Sequence, residues 1–134
     1  MLWGFRRWYI MTYSANQGDI VLIDFSPQAG NEQMGKRPAL IISGNDFHKR
    51  FKKTAMVCPI TRTDKGIPTQ VKLDNRTKTT GVIMSEQAKM LDITMRKVVF
   101  IEAAPPEIVN QVIGMLHMFT QPMEIDYGIE GASE

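Results

Sequence analysis

The alternation of short apolar segments with polar turn sequences restricts the fold of this chain more than any other feature. From Gly18 onward, the apolar segments have the length of β-strands and are separated by residues that are typical of turns. Residues 44–53 open with Gly-Asn-Asp and are predicted to form a turn or a short helical cap. Pro59 predicts a strand edge or a bulge, because proline cannot donate to a β-ladder. The predicted strands are residues 19–26, 38–43, 54–61, 69–74, 82–91 and 96–104.

The segment 105–120 is the one stretch with convincing helical periodicity. Its two prolines suit the first turn, and Glu107 favours the positive end of the helix dipole. Several closely spaced strands followed by one helix predict a mainly β (α+β) fold, a small, strongly bent antiparallel β-barrel with a C-terminal helix. The apolar stripe of this helix consists of Ile108, Val109, Val112, Ile113, Leu116 and Phe119.

The 134 residues fit one domain flanked by two segments of different composition. We predict a flexible N-terminal extension at residues 1–16, the domain at 17–120, and an acidic, mobile tail at 121–134. The last fourteen residues hold four acids and no base, so the other 120 carry a formal charge of +6. A basic body is compatible with a nucleic-acid ligand, although a solvated basic face would give the same count.

Several classes of protein are disfavoured by what the sequence lacks. No apolar run approaches the ~18 residues that span a membrane, and the N-terminus lacks the apolar stretch of a secretory signal. The single cysteine, Cys58, rules out an internal disulfide and is predicted to be a buried apolar filler. His48 and His117 are isolated in sequence, so no metal site or other cofactor is expected. These features predict a cytoplasmic protein without a membrane segment.

The connection at residues 30–40, GNEQMGKRPAL, carries more chemistry than a link between two strands requires. Pro38 stiffens the return of the chain and biases Arg37 towards an extended conformation. The guanidinium fork of Arg37 matches two phosphate oxygens at once, and the carboxylate of Glu32 can accept a proton. Together they could cleave RNA through its own 2′-hydroxyl. An ion pair between Glu32 and Arg37 that holds the loop shut explains the same residues equally well.

The segment GDIVLIDFSPQAGNEQMGKRPALIIS resembles the N-terminal signature of the MazF/PemK toxin family, the ribonuclease half of bacterial toxin–antitoxin pairs. That signature is a strand opening with Gly-Asp, an aromatic-x-Pro turn, a Gly-x-Glu-Gln-x-Gly loop, and Arg-Pro before an apolar strand. The similarity continues through NDFHKRF, TAMVCPIT and GVIMSEQAKMLDI, and covers roughly residues 17–120.

The resemblance implies an SH3-like barrel that forms a homodimer and cuts single-stranded RNA at short sequences. Cleavage in the family needs no metal ion and generally leaves a 2′,3′-cyclic phosphate and a 5′-hydroxyl. The catalytic positions fall on Glu32 as the base, Arg37 as the phosphate stabiliser and Thr61 as a hydrogen-bond donor to a phosphate oxygen. The implied partner is a cognate antitoxin, whose disordered acidic segment folds over the groove and competes with RNA.

The predicted RNA-binding residues come from the same match and from the charge of neighbouring loops. Some match positions that line the RNA groove of the family, and the basic ones flank the site in sequence and could contact phosphates. The set is Asn31, Gln33, Arg62, Lys65, Glu86 and Gln87, and the flanking basic loops add Arg76 and Lys78.

Two departures from the family pattern limit what can be carried over. One branch has a catalytic arginine where this chain has Met84, so a mechanism with a second arginine does not transfer. An asparagine common at the position of His48 is also absent. Thr61 could be an ordinary β-branched strand residue, and Glu86 and Gln87 a solvent-facing stretch. The alternatives for the whole protein are an RNA-binding module that does not cleave, or a gyrase poison on the same barrel, similar to the CcdB toxins.

Overall fold

The computed structural model describes residues 13–25, 35–125 and 128 of the chain. The predictions for residues 1–12, for residues 31–33 (Asn31, Glu32 and Gln33) and for the end of the acidic tail fall outside this part. No helix among the described residues is long and apolar enough to cross a membrane. The elements are β1 (Asp19–Asp24), β2 (Lys36–Ile41), α1 (Asn45–Arg50), β3 (Thr54–Thr61), β4 (Gln70–Lys72), β5 (Val82–Met84), a 3-10 turn (Ser85–Gln87), β6 (Lys89–Asp92), β7 (Val99–Ala103) and α2 (Pro106–Phe119).

All strand pairs are antiparallel, which confirms the predicted mainly β fold with a C-terminal helix. The strand order is β4-β5-β3-β2-β1-β7, with β6 as an additional partner of β3. Within the described residues the ladders leave this sheet open between β4 and β7. The side chain of Glu102 on β7 bridges this opening. Its carboxylate accepts hydrogen bonds from the backbone N–H groups of Lys78 (3.0 Å) and Thr79 (2.8 Å) in the β4–β5 connection.

The predicted strand at 82–91 is divided in the structure by the 3-10 turn at Ser85–Gln87. Both halves pair with the same side of β3, β5 at Ile60 and Thr61 and β6 at residues 54–57. This arrangement also corrects the prediction for Pro59. The proline lies in a central strand, opposite Ala39 of β2 and between the ladders that β6 and β5 form on the other side. Because β3 changes partner there, the missing N–H is tolerated.

Apolar side chains alternate along β1 and supply two cores. The fully buried Ile20 faces the cluster that α2 covers with Ile108, Val109 and Val112. The neighbouring Val21 belongs to the second cluster. Full burial of such a side chain stabilises the fold by about 1.5–3 kcal/mol. The predicted helical stripe is correct at its centre but wrong at its end, where Phe119, the last residue of α2, is 42% exposed.

The residues that precede β1 belong to the folded domain as far back as the structure describes them. Ala15 is buried in the second cluster, and Tyr13 packs against it. The Tyr13 hydroxyl donates to the Asp19 carboxylate at 2.5 Å. Burial, and then this contact with Asp19, raise the pKa of Tyr13 well above its usual range. The predicted flexible extension therefore does not hold for residues 13–16.

Candidate active site

The hairpin between β1 and β2 fixes both ends of the connection that contains Glu32. The register pairs Asp24 with Lys36, and the N–H of Phe25 donates to the Gly35 carbonyl at 3.3 Å. Gly35 has a φ of 40°, in the left-handed region that glycine adopts without strain. The chain therefore leaves and re-enters the sheet at adjacent positions. Asn31, Glu32 and Gln33 lie between these two ends, outside the described residues.

Arg37 and Thr61 lie at the same end of the sheet, on neighbouring strands. The β2–β3 ladder runs from Ile41 opposite Val57 to Ala39 opposite Pro59. Beyond this ladder β2 extends back to Lys36 and β3 extends on to Thr61, so Arg37 and Thr61 both lie just past the last paired residues. Because side chains alternate along a strand, both residues face the side of the sheet that carries the second cluster. Neighbouring strands in a ladder are about 5 Å apart, so we expect the two side chains to lie near each other.

Thr61 is held in place by a close approach of β5. Its hydroxyl oxygen accepts a hydrogen bond from the N–H of Thr63 at 3.2 Å, and its hydrogen can still be donated. Gly81 has a φ of 122°, and a Cβ at this position would stand 2.3 Å from the Thr61 carbonyl oxygen. Only glycine fits there. Sequence analysis missed this role, because a Thr-Thr-Gly turn does not reveal which strand lies beside it.

Glu86 and Gln87 are exposed in the 3-10 turn that connects β5 with β6. The ladders place this turn level with the middle of β3, roughly 7–13 Å from Thr61 by strand rise. Glu86 borders a groove of about 530 Å³ whose other wall is the last part of α2, including Leu116 and His117. Burial and the nearby Glu86 carboxylate raise the pKa of the Cys58 thiol to about 12. The buried Cys58 is thus a core residue, as predicted.

The predicted basic residues differ in how far they are available to a ligand. Arg62 and Lys65 are exposed in the β3–β4 connection. Arg76, by contrast, binds the carboxylates of Asp74 at 2.9 Å and Glu107 at 2.8 Å. Its hydrogen bonds lower the pKa of Asp74, so both charges persist. Arg76 therefore links the β4–β5 connection to the first turn of α2, and its contact with a phosphate stays a prediction.

Arg96 supports the base of the hairpin, and sequence analysis did not identify it. Its Nη1 donates to the backbone carbonyl of Asp24 at 2.8 Å, although the two residues are 72 positions apart. Lys89 approaches the same place, with its Nζ 5.8 Å from the centroid of the Phe25 ring. No local sequence signal could have found either contact, because both depend on how distant strands pack.

The fold makes the chain one of the small mainly β proteins with an antiparallel sheet and a C-terminal helix. The family model of the PemK-like, MazF-like toxins of type II toxin–antitoxin systems matches residues 16–119. The chain belongs to this family.

Relatives and solved structures agree with that assignment. The chain is 33% identical over 118 residues to the endoribonuclease PemK of Escherichia coli, a match covering 85% of this chain and 88% of PemK. It is 40% identical over 81 residues to the endoribonuclease EndoA of Bacillus subtilis, covering 57% and 69% of the two chains. Its fold is similar to that of MazF from Deinococcus radiodurans, with a TM-score of 0.70, 32% identity, and coverage of 80% and 96%.

Proposed function

We propose that this protein is a sequence-specific endoribonuclease toxin that cleaves single-stranded RNA without a metal ion. Endoribonuclease activity follows from membership in the family and from the names of its relatives. The finer proposal is supported by one observation: Arg37 lies beside the fixed base of the loop that carries Glu32, on the strand next to the one that ends at Thr61.

In the proposed reaction, the RNA supplies its own nucleophile. Glu32 removes the proton from a 2′-hydroxyl, and the 2′-oxygen attacks the adjacent phosphorus. Arg37 and the Thr61 hydroxyl stabilise the negative charge that develops on the phosphoryl oxygens. The bond from phosphorus to the 5′-oxygen breaks, and that oxygen takes up a proton. The products are a 2′,3′-cyclic phosphate and a 5′-hydroxyl. We assign Arg37 to charge stabilisation, because its planar guanidinium presents fixed donors to two phosphoryl oxygens at once.

The RNA would extend from this end of the sheet across the surface next to β3. Amide and carboxylate side chains can read the edges of splayed bases, whereas exposed cations contact phosphates without regard to sequence. We assign base recognition to Asn31, Gln33, Glu86 and Gln87, and phosphate contacts to Arg62 and Lys65.

The proposed partners are a second copy of the chain and a cognate antitoxin. Solved structures of D. radiodurans proteins related to this chain contain MazE together with MazF. We propose that an antitoxin with a disordered acidic segment binds this protein in the cytoplasm. Its acidic side chains would occupy the positions of RNA phosphates, so binding of the antitoxin and of RNA would exclude each other.

The test is to incubate the purified protein with a long RNA of mixed sequence in EDTA and to map the cleaved ends. Arg37→Ala is compared with Lys72→Ala, which removes an exposed cation that the proposed reaction does not use. We expect the wild type and Lys72→Ala to cut at the same short sequences and to leave cyclic phosphates, and Arg37→Ala to lose at least a hundredfold in rate. RNA binding without products would identify a non-cleaving module. Gyrase-dependent DNA breaks without RNA cleavage would identify a gyrase poison.

A further inference from the structure

A second basic surface lies at the other end of β3 and is not part of the proposed active site. We propose that α1, which ends at Arg50, and the following residues Phe51, Lys52 and Lys53 form an accessory surface for single-stranded RNA. This inference rests on the proposed function, because the surface would hold the substrate outside the region where it is cut.

An exposed aromatic ring surrounded by cations marks this accessory surface. Phe51 is 49% exposed and borders a shallow cavity of about 330 Å³ that is otherwise lined by Arg50, Lys52, Lys53 and Thr54. The centroid of the Phe47 ring lies 4.8 Å from that of Phe51, with an angle of 32° between the two planes, and supports it from behind. A base can stack on such a ring whatever its identity, while the neighbouring cations contact phosphates.

A second cavity continues the accessory surface along α1. It has a volume of about 490 Å³ and shares Lys52 with the first cavity. Its other polar walls include Lys49, His48 and the amide side chains of Asn16 and Asn45. Amides can donate and accept, so they suit the sugar hydroxyls and base edges that RNA exposes in a single strand. The two cavities therefore adjoin at Lys52.

Positive charge dominates the accessory surface after the nearby acids are counted. Asp46 lies 3.6 Å from Lys49, but both side chains are largely exposed, so this pair holds them weakly. The carboxylate of Asp92 interacts electrostatically with Lys53, and the buried Asp19 accepts a hydrogen bond from Tyr13. Exposed Arg50 and Lys52 have no carboxylate partner among the ion pairs of the described residues.

The geometry favours a role in binding longer RNA molecules. The accessory surface adjoins Thr54 at the start of β3, and Thr61 ends that strand, about 23 Å away by strand rise. A single strand several nucleotides long can occupy both places, whereas a minimal substrate occupies only the cleavage site. RNA with a flanking segment should therefore bind more tightly than a short RNA with the same cleavage sequence.

The experiment measures binding of fluorescent, uncleavable 2′-O-methyl RNA of two lengths, about 6 and about 20 nucleotides, by anisotropy at several salt concentrations. The variants are Phe51→Ala and the double variant Arg50→Gln/Lys52→Gln. The matched control is Lys72→Gln/Lys97→Gln, which removes two exposed cations elsewhere. For the long RNA, we expect Phe51→Ala to weaken binding about fivefold to tenfold. The double variant should reduce the salt slope by about 1.4, or 0.7 for each phosphate contact.

The short RNA and the control should show neither change. The inference is overturned if the wild type binds neither RNA, if both lengths respond alike, or if the control loses as much affinity. It is also overturned if an acidic peptide, but not RNA, depends on these residues, because the surface would then serve a protein partner. Cleavage of a short natural RNA is assayed separately, so a failure of the proposed nuclease activity is distinguishable from a failure of the accessory surface.

Discussion

Replacement of Gly81 by alanine tests how the fold positions Thr61. A Cβ at this position would stand 2.3 Å from the carbonyl oxygen of Thr61 and 3.0 Å from its carbonyl carbon. Both atoms belong to the backbone of β3, so a rotamer change cannot relieve the overlap. The φ of 122° is also one that residues with a side chain rarely adopt. In Gly81→Ala, therefore, β5 must move away from Thr61, or both strands must deform.

The expected magnitude follows from these two effects. Backbone strain of this kind costs about 1–3 kcal/mol, and the overlap adds to it. We expect Gly81→Ala to lower the free energy of unfolding by about 2–4 kcal/mol. Gly114→Ala in α2 is the matched control, because a Cβ there meets no atom within 4 Å. That substitution should raise the free energy of unfolding by about 0.5–1 kcal/mol, the difference between alanine and glycine within a helix.

Urea unfolding followed by circular dichroism measures the free energy of unfolding of both variants. RNA cleavage, under conditions where each variant is folded, measures the effect on activity. Folded Gly81→Ala should cleave more slowly, since Thr61 is displaced, whereas Gly114→Ala should cleave like the wild type. The reasoning is refuted if the two substitutions change the free energy of unfolding alike, or if Gly81→Ala loses less than about 0.5 kcal/mol.

Three further predictions concern side chains at a distance from the reacting groups. Arg96→Ala removes the hydrogen bond from a charged donor to the Asp24 carbonyl and should cost about 1–3 kcal/mol of stability and slow cleavage; unchanged stability and cleavage rate would contradict the assigned contact. Burial opposes ionisation of Glu102, but its hydrogen bonds lower its pKa overall. Its contribution to stability is therefore present above its unfolded pKa of about 4.3 and lost as pH falls through the folded value, so urea titrations of Glu102→Gln should show a smaller loss on acidification than the wild type. Cys58, with a pKa of about 12, should react with a disulfide reagent at pH 8 only after unfolding, and rapid reaction of the native protein would be incompatible with its burial.

Much of the fold could be predicted from the sequence, because the signals were local. The apolar segment at 54–61 coincides with β3, and the pattern at 105–120 with α2, which begins and ends within one residue of that prediction. The division of 82–91 could not be predicted in this way. The segment turns polar at Ser85, Glu86 and Gln87, but a polar stretch does not reveal that two short strands share one side of β3.

The sequence singles out the candidate reacting groups of the site, whereas it gives no sign of the residues that hold the surrounding backbone in place. Arg37 stands next to a proline in a segment of unusual composition, so the sequence itself draws attention to it. Arg96, which binds the backbone at the base of the same hairpin, stands in a turn without any such signal. Reacting groups are recognisable by their chemistry, whereas supporting groups are recognisable only by their contacts, and these depend on tertiary structure.

The same distinction separates the basic residues from one another. Arg76 and Arg50 are both arginines in polar segments, and each adds one unit to the same formal charge. Two carboxylates bind Arg76, which leaves less of its charge available to a phosphate. Arg50 lies exposed beside Phe51 with further cations around it. Affinity for RNA therefore depends on where the charges lack internal partners, and a salt titration that found Arg76→Gln as damaging to RNA binding as Arg50→Gln would contradict this argument.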